Sequence, residues 1–189
     1  MSIYTRTGDT GTTALFGGKR VLKCEELVDV YGSIDELNSW AGLISSQITV
    51  VDVQEFLQHI QSDLFTIGSN LAGWKSELKD LANRVKEMEA RIDLLEKELP
   101  KLNNFILPGG SDLGARIHIA RSICRRVERQ TVALFSRQQS AVSFQQKDKN
   151  IILKYLNRLS DLFFMLARFI NKEEKIEEVV WSGIRSKPS

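Results

Sequence analysis

The sequence predicts an all-α fold: a five-helix bundle with ferritin-like up-down packing, behind a flexible Gly/Thr-rich N-terminal loop. Three observations carry this expectation. Beyond residue 23 only three prolines and few glycines interrupt the chain. Apolar residues recur at steps of three and four in segment after segment, which is the helical period. No segment reads clearly as a strand.

Residues 1–23 differ from the rest. Gly8, Gly11, Gly17 and Gly18 alternate with Thr5, Thr7, Thr10, Thr12 and Thr13. Such a stretch lacks the period and the apolar content of a helix, so it reads as a loop that a ligand would order. Residues 24–172 carry the bundle. A helix over 33–47 opens it, with Ser33 as N-cap and Glu36 as its capping-box partner three residues on. Phe56, Leu57, Ile60, Leu64, Ile67 and Leu71 give 53–73 one apolar face. Leu81, Val85, Met88, Ile92, Leu95 and Leu99 do the same for 79–99, which Pro100 ends. Ile119, Ile123, Val127 and Leu134 mark 112–135, and Ile152, Leu156, Leu159, Phe163, Leu166 and Ile170 mark 149–172. Residues 136–148 read as a polar connection, and 173–189 as a charged tail containing Trp181. With no internal repeat, 189 residues are expected to form a single domain, 1–189.

Composition excludes several classes. With 26 basic and 24 acidic side chains the net charge is +2, too balanced to imply nucleic acid or a membrane surface. No apolar run approaches the ~20 residues that span a bilayer. Met1 to Arg6 lack the apolar core of a secretory signal. Two distant cysteines, Cys24 and Cys124, offer no disulfide framework, so the expected location is cytoplasmic. With two histidines and no Glu-x-x-His pair, a di-iron carboxylate bundle is disfavoured. C-x-x-C, H-E-x-x-H and G-x-S-x-G motifs are absent.

Four constellations remain. In Thr5-Arg6-Thr7-Gly8-Asp9-Thr10-Gly11, glycines let backbone N–H groups approach an anion and hydroxyls add donors, although this is not a Walker A loop. Arg6, Lys19, Arg20 and Lys23 are candidate cations, and a plain N-terminal arm is the alternative. In 111–131, a helical wheel puts His118, Arg121, Arg125, Glu128 and Arg129 on one side and Ile119, Ile123 and Val127 on the other. A solvated face is the ordinary explanation, but the use of arginine suits phosphate oxygens and carboxylates. Phe105 to Ser111 is an apolar patch ending in a turn, either core or the wall of a pocket. Asn157, Asp161, Phe164 and Arg168 share a stripe. Asp35 and Asn38 share another, with Asp35 read in the first helical turn.

Taken in this order, Tyr4–Gly11, Tyr31–Asn38, Phe105–Gly110, His118–Arg121, Arg125–Arg129 and Asn157–Asp161 resemble the PduO-type ATP:cob(I)alamin adenosyltransferases. The resemblance runs from Tyr4 to about Asn171. It implies a five-helix homotrimer with nucleotide sites between subunits. Thr5, Arg6, Thr7, Gly8, Asp9 and Lys23 would wrap the triphosphate of Mg-ATP, with Arg20 and Lys19 as alternatives to Lys23. Arg125, Glu128 and Asn157 would contact the nucleotide. Asp35 and Arg121 would pair across the interface. Phe105 would line the corrin pocket and displace the lower axial ligand. Magnesium would be held through the ATP phosphates, with no separate protein metal site. Arg125, Asp35, Arg121 and Phe105 would carry catalysis, cobalamin being the second substrate and a flavoprotein reductase the electron source. Arg6 stands where the family commonly has lysine.

The chemistry is consistent with these residue types. Triphosphate is a highly anionic leaving group, and fixed cations and N–H donors stabilise it. A reduced cobalt nucleophile needs exclusion of water and orientation rather than a general base. The alternative is a regulatory bundle that binds ATP or cobalamin without turnover. A helical bundle touching RNA is a third reading, against which the near-neutral charge and the lack of aromatics beside the arginines both count.

Overall fold

A computed structural model describes residues 4–137 and 142–182. Five helices dominate it: α1 (Glu26–Gln47), α2 (Val51–Leu71), α3 (Lys79–Glu98), α4 (Asp112–Ser136) and α5 (Gln146–Glu173). Four lie within about three residues of the spans that periodicity predicts. Helix α4 packs on α5 and α1, α2 on α1, and α3 on α5.

The first helix departs from expectation. It begins at Glu26, so Ser33 is not its cap and Asp35 lies in the third turn. The apolar residues explain the extension. Leu27, Val30, Ile34, Leu37, Ala41 and Ile44 are all buried at steps of three, four and seven. Burying that stripe outweighs the cost of about 1 kcal/mol for Gly32 within a helix. Ser111 caps α4, its Oγ accepting from the Gly114 N–H at 3.0 Å.

The N-terminal stretch contains a small sheet that was not expected. Strand β1 (Thr12–Ala14) pairs antiparallel with β2 (Arg20–Leu22), Thr13 facing Val21. Gly17 and Gly18, both at positive φ, make the turn between them. Leu15 and Val21 are buried in the main core, and the Phe16 N–H donates to the Ala72 carbonyl at 2.9 Å. Phe16 also meets Trp74 edge-on, with ring centroids 4.0 Å apart. The hairpin is thereby fastened to the C-terminal end of α2.

Helix α5 is the spine of the core. Tyr155, Leu156, Leu159 and Phe163 are fully buried on it. The Tyr155 hydroxyl donates to Asp63 on α2 at 3.2 Å, and Asp63 also accepts from Arg84 Nε of α3 at 2.9 Å. Burial pushes the Asp63 carboxyl above its ordinary value, with Arg84 and Tyr155 pulling the other way. Cys124 is buried and Cys24 exposed, and both are free. Burial also drives the Cys124 thiol far up. No helix among the described residues is long and apolar enough to cross a membrane.

Residues after α5 return to the body. Lys175 takes a left-handed turn (φ 57°), and the chain then runs beside the Phe105 segment. Ile106 and Val180 form an antiparallel bridge.

Candidate functional site: two adjoining cavities and a separate cradle

Helices α4 and α5 present their polar residues at one end of the bundle. A cavity of about 860 Å³ opens there, walled by Phe105, Ile106, His118, Arg121, Phe164 and Trp181. Phe105 is 81% exposed, so its segment is a pocket wall rather than core. A second cavity of about 600 Å³ adjoins it, and Leu102, Arg121 and Phe164 border both. Its lining is cationic, with Arg125, Arg158 and Arg168 facing Glu96 and Asp161. One cavity is thus aromatic and the next is rich in arginine, with a shared wall.

The shared wall has an unsatisfied cation. Arg121 lies 6.0 Å from the Phe164 ring centroid. Its Nε is buried and has no hydrogen-bond partner among the described residues. Burial, and then Arg125 one turn on, lower its pKa. Asp35, the residue expected to pair with it, sits in another groove with Tyr31, Asn38 and Phe65. Asp35 is exposed there, and Asn38 Oδ1 beside it is buried without a partner among the described residues.

The arginine face of α4 is placed one residue differently from the helical-wheel expectation. His118 is only 3% exposed, while Ile119 is 44% exposed. The buried stripe includes Ile117, Ala120, Ile123, Cys124, Val127 and Leu134, so Ile123 and Val127 lie inside as expected, while His118 joins them and Ile119 does not. Both ring nitrogens of His118 are buried without partners, and its ring stands 6.1 Å from Phe164. Burial and then the Arg121 charge lower its pKa from the ordinary histidine value. Arg125 remains exposed, as the wheel required. Glu128 is brought to Asn157, whose Nδ2 donates to Oε1 at 3.1 Å. Arg126 pairs instead with Glu36, which ties α4 to α1.

The N-terminal candidates form a group of their own. Arg6 takes a positive φ of 60° and stacks 5.5 Å from the Tyr4 ring. The Thr5 and Thr7 hydroxyls are 2.8 Å apart. Arg20 donates to the Thr7 carbonyl and to the Thr12 hydroxyl, so its guanidinium braces the loop. Lys23 lies across Gly8, where a Cβ would stand 3.2 Å from its Nζ. Thr5, Thr7, Gly8 and Lys23 are therefore adjacent, with Arg6 and Asp9 at the same turn. Arg125, Glu128 and Asn157 make a second group on α4 and α5, in which Asn157 and Glu128 are hydrogen-bonded to each other.

Sequence reasoning left Glu178 and Leu102 out of the site and gave Trp181 no place. The tail carries no period from which docking could be read. The apolar pair Val179-Val180 before Trp181 was its one signal.

The helical bundle thus carries two adjoining cavities, one aromatic and one rich in arginine, and the comparisons with known proteins say which family builds such a fold. Residues 3–170 match the cobalamin adenosyltransferase family, and the chain belongs to that family. It is 42% identical over 185 residues to the corrinoid adenosyltransferase of Bacillus subtilis, covering 95% of this chain and 91% of that one. It is 39% identical to the corrinoid adenosyltransferase PduO of Citrobacter freundii, covering 89% of this chain but only 49% of that longer protein. Among solved structures, a variant PduO-type ATP:corrinoid adenosyltransferase from Lactobacillus reuteri, complexed with cobalamin and ATP, superposes with a TM-score of 0.84 at 33% identity. That match covers 96% of this chain and all of the other, 100%.

Proposed function

We infer that this chain is an ATP:corrinoid adenosyltransferase, giving adenosylcobalamin and triphosphate from ATP and cob(I)alamin. The observation that carries the reading is the shared wall: an aromatic cavity large enough for part of a corrin adjoins a cavity lined with arginines. The relatives bind cobalamin and ATP together. In the reaction, the cobalt lone pair attacks C5′, the C5′–O5′ bond breaks, and triphosphate leaves with that electron pair. Cobalt goes formally from Co(I) to Co(III).

The residues take their parts from position and chemistry. Phe105, projecting into the aromatic cavity, lies against the lower face of the corrin and keeps an axial ligand away. That makes Co(II) easier to reduce. Arg125, held on a stiff helix, faces the charge that develops as triphosphate departs. Glu128 and Asn157, already bonded to each other, orient the nucleotide. Thr5, Arg6, Thr7, Gly8, Asp9 and Lys23 surround the phosphates. Lys23 is the better choice of cation because Arg20 is engaged in bracing the loop. Magnesium supplies charge neutralisation on the triphosphate. The loop offers hydroxyls and one carboxylate, Asp9, which suits an ion held chiefly by phosphate oxygens and water.

The separation of hairpin and arginine face supports a site built between subunits of a homotrimer. Arg121 Nε is buried without a partner among the described residues, and Asp35 lies exposed in another groove. A neighbouring copy would bring the two together, and the hairpin of one copy to the Arg125 face of the next. The protein is proposed to work in the cytoplasm as a single 1–189 domain, with a flavoprotein reductase supplying the electron to cob(II)alamin.

The test is turnover: Mg-ATP and reduced cobalamin with the purified protein, following loss of cob(I)alamin absorbance and separating products. Adenosylcobalamin and triphosphate in equal amounts are expected. ATP binding without product would favour the regulatory bundle instead.

A further inference from the structure

We propose that Arg168 and Glu178 are positioning residues that hold the C-terminal strand against Phe105, and so set the aromatic wall of the corrin cavity. This rests on the adenosyltransferase reading for the identity of the ligand, though not for the strap itself.

The geometry begins with a cation where none is expected. Arg168 lies on the buried side of α5 and is 4% exposed. A buried guanidinium persists only with its donors met. Its Nε donates to both Glu178 oxygens, at 2.9 and 3.2 Å, and Nη2 donates to the Pro100 carbonyl at 2.8 Å. One side chain therefore joins the end of α3, the last turns of α5 and the returning tail. Left-handed Lys175 turns the chain, and Glu178 is the first tail residue to be fastened by a charge.

Two residues beyond that clamp, the tail becomes a strand for the Phe105 segment. The Leu107 N–H donates to the Val179 carbonyl at 2.8 Å, and the Trp181 N–H donates to the Phe105 carbonyl at 2.8 Å. Phe105 itself has almost no side-chain packing, at 81% exposure. Its position is thus fixed through its backbone, and one edge of that backbone is the tail. The other end of the segment is held from the same helix. Asn171, less than one turn after Arg168, accepts from the Ser111 N–H and donates to the Gly109 carbonyl, each at 3.0 Å. A Cβ at Gly110 (φ 111°) would fall 2.3 Å from the Asn171 amide, so the backbone reaches this close only with glycine there.

An aromatic ring that must exclude an axial ligand works only if it cannot swing aside. The clamp supplies that restraint from outside the cavity. Its loss would leave the nucleotide groups on α4 untouched and loosen one wall of the corrin cavity.

The experiment uses Glu178→Gln, which keeps shape and removes the charge, with Glu178→Asp as the conservative rescue and deletion of residues after Lys175 as the limiting case. Tail docking is read by trypsin cleavage after Lys175. Corrin placement is read by the base-off cob(II)alamin spectrum with ATP, by the corrinoid KM and by the ATP KM. For Glu178→Gln, cleavage about tenfold faster, a reduced base-off fraction and a corrinoid KM raised about tenfold are expected. The ATP KM and the melting temperature should stay near wild type. Glu178→Asp should recover part of each loss, and the deletion, which removes the cleavage site, should exceed Glu178→Gln in the spectrum and the corrinoid KM. Cleavage and spectra at wild-type levels would overturn the proposal. Faster cleavage with an unchanged spectrum and corrinoid KM would show a strap without a positioning role, and also overturn it. Equal losses for ATP and corrinoid, with a lowered melting temperature, would reduce the pair to fold stability. If the wild-type protein binds no corrinoid, the functional reading fails and the corrin role falls with it, while the cleavage result still decides the strap.

Discussion

Two regions of this molecule gather positive charge, and they do so on opposite kinds of scaffold. The face of α4 sets Arg121 and Arg125 on a helix whose other side is locked into the core by Ile117, Cys124 and Val127. The hairpin sets Arg6, Arg20 and Lys23 on a short two-stranded ribbon, most of whose residues are exposed. The first region is backed by the packed core along its whole length. The second spends Arg20 on its own shape and leaves Lys23 lying over Gly8. The difference suggests a division of labour. Charge that must meet a developing transition state belongs on the stiff element, because only preorganised groups act without reorganisation. Charge that must admit and release a nucleotide belongs on the more exposed element.

The sharpest test of that division is Arg125→Ala. Arg125 is exposed and none of its side-chain atoms holds the core, so melting should be unchanged. Turnover should fall by about 10²–10³ in kcat, the range for loss of one fixed electrostatic donor. A drop confined to the ATP KM would place Arg125 with the hairpin, as a binding residue, and break the comparison.

Asp35→Asn asks whether the stiff region is complete in one chain. If a neighbouring copy pairs Asp35 with Arg121, removing one charge strands a buried cation at a cost of about 3–5 kcal/mol. Sedimentation should then show weaker assembly, with activity falling as protein is diluted. A trimer and activity both at wild-type level would mean that Arg121 finds another partner.

On the hairpin, Lys23→Ala should raise the ATP KM about tenfold, with kcat less affected, since one charge-assisted contact to phosphate is lost. Arg20→Ala should act differently. It removes the brace to Thr7 and Thr12, so amide exchange in the hairpin should rise along with the ATP KM. If Lys23→Ala is silent and Arg20→Ala changes KM without loosening the hairpin, the phosphate cation is Arg20.

These regions were not equally legible in the sequence. Helix period located four helices well, because burial of a continuous apolar stripe decides both pattern and structure. It misplaced the start of α1, where Gly32-Ser33 reads as a break although Leu27 and Val30 continue the stripe. The hairpin was missed, although Gly17-Gly18 between short Thr- and Val-containing runs is a turn signal. Its strands are three residues each, too short for alternation to show. The polar residues of the candidate site were legible as types at a spacing. Their grouping was not, because within one chain Asp35 and Arg121 line different grooves. Glu178 and Trp181 were invisible for another reason: the tail docks by backbone pairing and one ion pair, which leave no period.

The smallest expected effect concerns His118, the residue that the wheel put on the wrong side. Its ring is buried beside Arg121, and neither nitrogen has a partner among the described residues. Its folded pKa is lowered, first by burial and then by the Arg121 charge. An unfolded histidine titrates near 6.5. Just below that pH the unfolded chain binds a proton that the folded chain refuses. Stability tied to this group is therefore complete above 6.5 and declines as pH falls toward the folded pKa. The slope cannot exceed about 1.4 kcal/mol per pH unit for one proton. Melting curves from pH 7.5 to 5 should show that decline in the wild type and a flatter profile in His118→Phe, which loses no hydrogen bond. Parallel profiles would mean that folding leaves the proton affinity of His118 unchanged, so that neither burial nor the Arg121 charge acts on its ring.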